Sequence, residues 1–260
     1  MIKILSGWGG LGGSTVAFNN LVNLFNKNDM NAKFYTPDRW EGITCSWDSY
    51  DNINLSSEDI LIYHFMRIDN KIPVKRVILS CHETNLFPIK DMNGLAYDKI
   101  QFVSDFQKNW HGVDGVVIPN VIARYARNKT ATNEKVAGII GSIDPHKGVH
   151  ESIKRALTDE DVNKVLIYGS ISDFNYFSNE VQPLLSSKVA YCGVSKNMQE
   201  VYDDIDVVYS SSQRECLPMI QGECLRMGIE YRGLSENTRE ETDYEFNDEV
   251  ILDKWKKLLY

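Results

Sequence analysis

Residues 207–228 read VVYSSSQRECLPMIQGECLRMG. The stretch continues a short apolar strand begun at Ile205, turns through Ser210, Ser211 and Ser212, passes Glu215 and enters a helix at Pro218. Proline suits the first helical position, where its missing N–H costs nothing. Gly228 stands where helices commonly end in a left-handed residue. At about 100° per residue Met219, Ile220, Cys224 and Met227 share one arc, and Glu223 falls inside it. A carboxylate on an apolar face needs a hydrogen-bonding partner, because unpaired burial is costly or shifts its pKa. Glu215 precedes the same helix, whose first N–H groups and positive dipole end form a natural anion site.

Strand, turn and helix recur outward from this stretch. Upstream, a strand over 135–140 runs into Gly141-Ser-Ile-Asp-Pro-His-Lys-Gly148 and a helix over 149–157. Further strands are expected over 164–169 and 189–193, and a short helix over 197–203 with Met198, Val201 and Tyr202 inward. Asp204 and Asp206 form a D-x-D, but its flanks read as a helix end entering a strand, which favours a structural role over metal binding.

At the N-terminus a strand over 2–6 runs into Gly7-Trp-Gly-Gly-Leu-Gly-Gly13 and a helix capped by Ser14, with Val16, Leu21, Leu24 and Phe25 in helical period. Strands over 59–65 and 77–83 each finish near a histidine, His64 and His82. In an open parallel sheet, ligands bind beyond the carboxyl ends of the strands. Residues 39–58 lack a period and read as irregular surface, and 127–135 read as a linker. The acidic run 236–249 reads as a solvated loop or helix. A closing helix over 250–260 carries Ile251, Trp255, Leu258 and Leu259.

The 260 residues suffice for one large or two small domains, with 43% apolar and 25% charged residues as in ordinary globular proteins. Residues 1–134 hold 14 basic and 14 acidic side chains, so the net charge of −8 lies wholly in the second half. That balance disfavours an extended phosphate backbone as partner, although Arg124, Arg127 and Lys129 form a local basic patch. The five cysteines (Cys45, Cys81, Cys192, Cys216, Cys224) form no C-x-x-C and read as reduced core residues. No run approaches the about 18 apolar residues of a membrane span. The N-terminal segment is broken too soon by glycine for a signal peptide, so a cytoplasmic protein is expected.

Glu215 and Glu223, spaced as E-x7-E with Leu217-Pro218 between, resemble the nucleotide-sugar motif of the retaining family-four glycosyltransferases (glycosyl transferases group 1). Gly12-Gly13, Val103-Ser-Asp-Phe106, Val117-Ile-Pro-Asn120 and Lys147-Gly148 are similar to that family's segments in the same order, so the likeness spans most of residues 1–228. The resemblance implies an α/β, GT-B fold of two doubly wound Rossmann-like domains facing a cleft. Residues 1–130 would form the acceptor side. Residues 131–260, closing helix included, would bind the nucleotide-sugar. It implies that Glu215 orients the donor sugar, Glu223 holds the ribose and Lys147 holds the phosphates with the N–H groups near Leu217, Pro218 and Met219. Gly193 and Val194 would touch the base. Gly12, Gly13 and His82 would border the acceptor.

No cofactor beyond the nucleotide diphosphate-sugar is expected, and no metal. The acceptor is expected to be saccharide, lipid or protein rather than nucleic acid. The family's phosphate-binding arginine is replaced here by Ser142, and the chain is shorter than usual. Two other readings remain: an NAD(P)-dependent oxidoreductase using Gly7, Gly9 and Gly12 with Asp38 on the ribose, and a sugar-nucleotide-binding protein without catalysis.

Overall fold

The computed structural model describes residues 1–83, 88–129 and 134–260. The chain divides into two compact units, Met1–Ala123 with Glu240–Tyr260, and Arg124–Arg239. Residues 130–133, within the expected linker, lie outside the described residues.

The first unit runs β1 (Ile2–Ser6), α1 (Gly13–Lys27), β2 (Ala32–Thr36), β3 (Trp47–Ser49), β4 (Ile60–His64), β5 (Arg76–Cys81), β6 (Lys99–Phe102), α2 (Asp105–His111) and β7 (Val116–Val117). Its strands form one parallel sheet in the order β3-β2-β1-β4-β5-β6-β7. Side chains alternate across a strand, so Ile2 and Ile4 join one apolar cluster while Leu5 joins the other. Both faces are apolar, as a covered parallel sheet requires. The first cluster is built with Phe18, Leu21 and Phe25 of α1. The second is met by Ile53, Leu55, Ile68, Ile72 and Leu95 from irregular segments. Residues 39–58 are therefore not merely surface. Ile43 and Cys45 are buried, and Trp47–Ser49 pairs with β2 as an edge strand, too short to show a period.

The second unit runs β8 (Lys135–Ile140), α3 (Val149–Thr158), β9 (Val162–Tyr168), α4 (Phe174–Tyr176), β10 (Val189–Gly193), α5 (Met198–Asp204), β11 (Val207–Tyr209), α6 (Met219–Met227) and β12 (Glu230–Arg232). Its parallel sheet has the order β10-β9-β8-β11-β12.

The last helix, α7 (Asp248–Leu259), corrects the expected domain division. Its Ile251, Leu252, Trp255, Leu258 and Leu259 complete the first unit's cluster, and Trp255 meets Phe25 edge-on with ring centroids 5.8 Å apart. Arg76 donates to the carbonyl of Leu258 at 2.6 Å. An apolar stripe must bury somewhere; the stripe was legible, but its partners lay more than 100 residues away, beyond any local pattern. The chain therefore leaves the first unit at Ala123 and returns to it at Glu240.

Candidate active site

In the second unit the chain steps from β8 outward to β9 and β10, then crosses to the other side of β8 to lay down β11 and β12. The carboxyl ends of β8 and β11 are thus the topological switch point, where a doubly wound sheet leaves a crevice for a ligand. The two loops that leave these ends carry Ser142 and Lys147, and Glu215. They are joined directly. The Gln213 N–H donates to the carbonyl of His146 at 2.8 Å, and Lys147 Nζ lies 2.6 Å from Glu215 Oε1. Gly148 has a left-handed φ of 58°, and a Cβ there would stand 2.5 Å from the Ser211 carbonyl oxygen, so only glycine lets the loops approach so closely.

Each loop is held from behind. Asp144 accepts the Lys147 N–H at 3.0 Å and the Ser142 hydroxyl at 2.5 Å. Arg155 of α3 donates to the carbonyls of Ser210, Arg232 and Gly233 and to the Ser211 hydroxyl. The Glu215 N–H donates to Asn237 Oδ1 at 3.2 Å, and Asn237 Nδ2 donates to the Ser212 carbonyl at 2.8 Å. Arg239, buried, donates to the carbonyls of both Glu215 and Cys216. Gln221 of α6 holds the Arg239 backbone in turn. Asn237 and Arg239 were missed in the sequence, where they sit at the head of a polar, acidic run. They bind main-chain carbonyls and amides rather than an apolar face, which leaves no periodic signal.

Leu217 and Pro218 are buried, and α6 begins at Met219, with Pro218 in the capping position where it offers no side-chain cap. Gly193, at a left-handed φ of 77°, ends β10, and the exposed Val194 follows it, two strands from β8.

Glu223 is placed differently from Glu215. It is 3% exposed and accepts the hydroxyl of Tyr202, itself fully buried on α5, among Cys224, Val208 and Tyr168. Burial pushes its carboxyl up to about 7. The inward arc of α6 and the inward Tyr202 were both readable; that each is the other's partner was not. Of the D-x-D pair, Asp206 bonds Lys129, Arg127 and the Val136 N–H, and Asp204 accepts from Tyr168. Among the described residues no group of three or more His, Cys, Asp or Glu side chains is set to hold a metal ion.

The first unit has its own switch point, between β1 and β4. The glycine loop and His64 lie there, with the Gly7 N–H donating to the His64 carbonyl at 3.0 Å. A Cβ at Gly7 would stand 2.4 Å from the Phe65 carbonyl oxygen, and one at Gly9 2.1 Å from that of Asp38. Backbone packing thus accounts for these two glycines. Gly12 caps α1 in extended conformation and Gly13 opens the helix, with Trp8, half exposed, beside Gly12.

His82 lies against Phe18 at 4.7 Å and His64 at 5.0 Å between ring centroids. Burial, with the neighbouring His64, holds its imidazole well below the usual range and so neutral. His64 is 1% exposed, with Nε2 3.4 Å from Glu83 Oε1. Among the described residues no helix is long and apolar enough to cross a membrane.

No protein-family model and no curated protein sequence matches the chain. Solved structures do. A glycosyltransferase from Rickettsia africae is 14% identical over 98% of this chain and 87% of its own, with a TM-score of 0.67. Anabaena HepE, solved with UDP and glucose, is 14% identical over 89% and 80%, at 0.66. WaaG, a glycosyltransferase involved in lipopolysaccharide biosynthesis, is 11% identical over 100% and 90%, at 0.64. Two Rossmann-like domains of the GT-B type, a glycosyltransferase-like fold, are thereby established.

Proposed function

We propose that the chain is a glycosyltransferase that moves a sugar from a nucleotide diphosphate-sugar to a saccharide, lipid or protein acceptor with retention of anomeric configuration. The observation that carries this reading is the Lys147–Glu215 pair at the switch point of the second unit, in a fold shared with glycosyltransferases. Lys147 and the first N–H groups of α6, after Leu217 and Pro218, receive the diphosphate, where a lysine and a helix N-terminus both favour negative charge. They also take the charge of the leaving group, so the chemistry asks for no metal.

Glu215 orients the donor sugar, and Gly193 with Val194 meets the base. Ser142, whose hydroxyl is taken by Asp144, supplies no cation in place of the family's arginine. Glu223 takes the ribose hydroxyls, for which its carboxyl has to turn from Tyr202. Gly12, Gly13 and His82 line the acceptor side of the first unit. The close fit of Gly7 and Gly9 to neighbouring backbone gives the dinucleotide reading no separate support.

The test is thermal stabilisation by UDP, GDP, ADP, CMP and NAD. A ligand at about a hundred times its dissociation constant adds roughly 2.7 kcal/mol, a shift of several degrees or somewhat less at this size. One nucleoside diphosphate is expected to respond, and Lys147→Ala is expected to weaken it about ten- to a hundred-fold, the worth of a charge-assisted hydrogen bond. Release of sugar from the matching labelled donor separates a transferase from a binding protein. A response to NAD alone overturns the reading.

A further inference from the structure

Glu215 already has a charged partner. Its Oε1 lies on the one lysine that the proposed site offers to a diphosphate, at 2.6 Å. Neither charge is free to retreat with its loop. The Glu215 backbone is held through both its N–H and its carbonyl, by Asn237 and by Arg239, and the Lys147 backbone is held by Asp144. A diphosphate arriving at Lys147 therefore meets a carboxylate within side-chain reach, and like charges disfavour each other there. A sugar carried on that diphosphate changes the balance, because its hydroxyls can donate to the displaced carboxylate.

We propose that Glu215 is a specificity-determining counter-ion: it occupies Lys147 in the ligand-free chain, must be displaced by any nucleoside diphosphate, and is compensated only when the ligand carries a sugar. The inference rests on the glycosyltransferase reading above. Its consequence is that the site prefers donor to spent product. The diphosphate left after transfer faces the same carboxylate with its hydroxyl donors gone.

The test titrates the intact chain by calorimetry with UDP, GDP and ADP, and with UDP-glucose, GDP-mannose and ADP-glucose. For whichever diphosphate binds, Glu215→Gln is expected to tighten it about ten-fold, equivalent to one charge interaction of modest size. No gain is expected with the matching sugar nucleotide. Glu215→Ala is expected to repeat the gain for the diphosphate, and in a Lys147→Gln background the gain is expected to shrink, since only like-charge repulsion and no competition for the lysine is then relieved. Binding of a diphosphate by wild type with no gain in either Glu215 variant sinks the inference and leaves the transferase reading standing. So does an equal gain for diphosphate and sugar nucleotide, or a gain undiminished without Lys147. Binding of none of the six probes by wild type or variants overturns both.

Discussion

Raising the pH from 4.5 to 7.5 is expected to cost the second unit about 3 kcal/mol that a Glu223→Gln variant does not lose. The Glu223 carboxyl, ordinarily near 4.5, is pushed up to about 7 by burial, against a smaller opposing effect of the Tyr202 hydroxyl. Between these two values the folded chain keeps a proton that the unfolded chain has released. Stability falls with pH wherever the folded state binds more protons. The contribution is whole below 4.5, declines through the interval and is gone above about 7. A tenfold difference in proton affinity between folded and unfolded chain is worth about 1.4 kcal/mol. Gln keeps the shape and can accept from Tyr202 without titrating, so the difference between the two proteins isolates this group from the other carboxylates. Urea titrations followed by circular dichroism at several pH values measure it. A difference that stays flat from pH 4.5 to 7.5 would place the carboxyl in solvent, open to a ribose without any rearrangement.

Trp255→Ala is expected to destabilise the first unit by about 3–5 kcal/mol, the usual effect of removing a large aromatic side chain from a core. Trp255 is 3% exposed and packs among residues of β1, β2 and α1. The remaining tryptophans, Trp8, Trp40, Trp47 and Trp110, all lie in residues 1–123. Their fluorescence therefore follows the first unit, while circular dichroism follows both. The fluorescence transition is expected to move to lower urea. If it holds still while the remaining transition moves, α7 belongs with the second unit and the division at Glu240 is wrong.

Much of the fold could be read directly. A buried parallel strand needs little more than a short apolar run closed by glycine or a polar turn, and 2–6, 77–81, 135–140 and 164–168 all have that form. Gly228 does end α6 in a left-handed conformation, with φ of 68°. The positions of Lys147 and Glu215 at strand ends also followed from local pattern; their meeting required the strand order, which no local pattern contains. What stayed hidden was the choice of partners across sequence distance, by the apolar stripe of α7 and by buried polar groups. Lys3 is buried because Asp59 lies 2.7 Å away, Glu223 because the Tyr202 hydroxyl meets it, and Arg239 because carbonyls of the Glu215 loop converge on it. Each breaks the apolar–polar alternation that makes the surrounding elements legible.

The return of the chain to the first unit at Glu240 reverses the usual order of events on a ribosome. Domains generally fold as units, the N-terminal one first, as synthesis proceeds. Here residues 1–123 precede the helix that covers their apolar face by the whole length of the second unit, so that face closes only after residues 124–239 have been made. Residues 124–239, by contrast, are contiguous and can reach their final contacts while the nascent first unit still exposes Phe25 and its neighbours. The half proposed to take the nucleotide is then the half able to complete its contacts earlier. Residues 1–123 keep that apolar surface open until residues 240–260 follow.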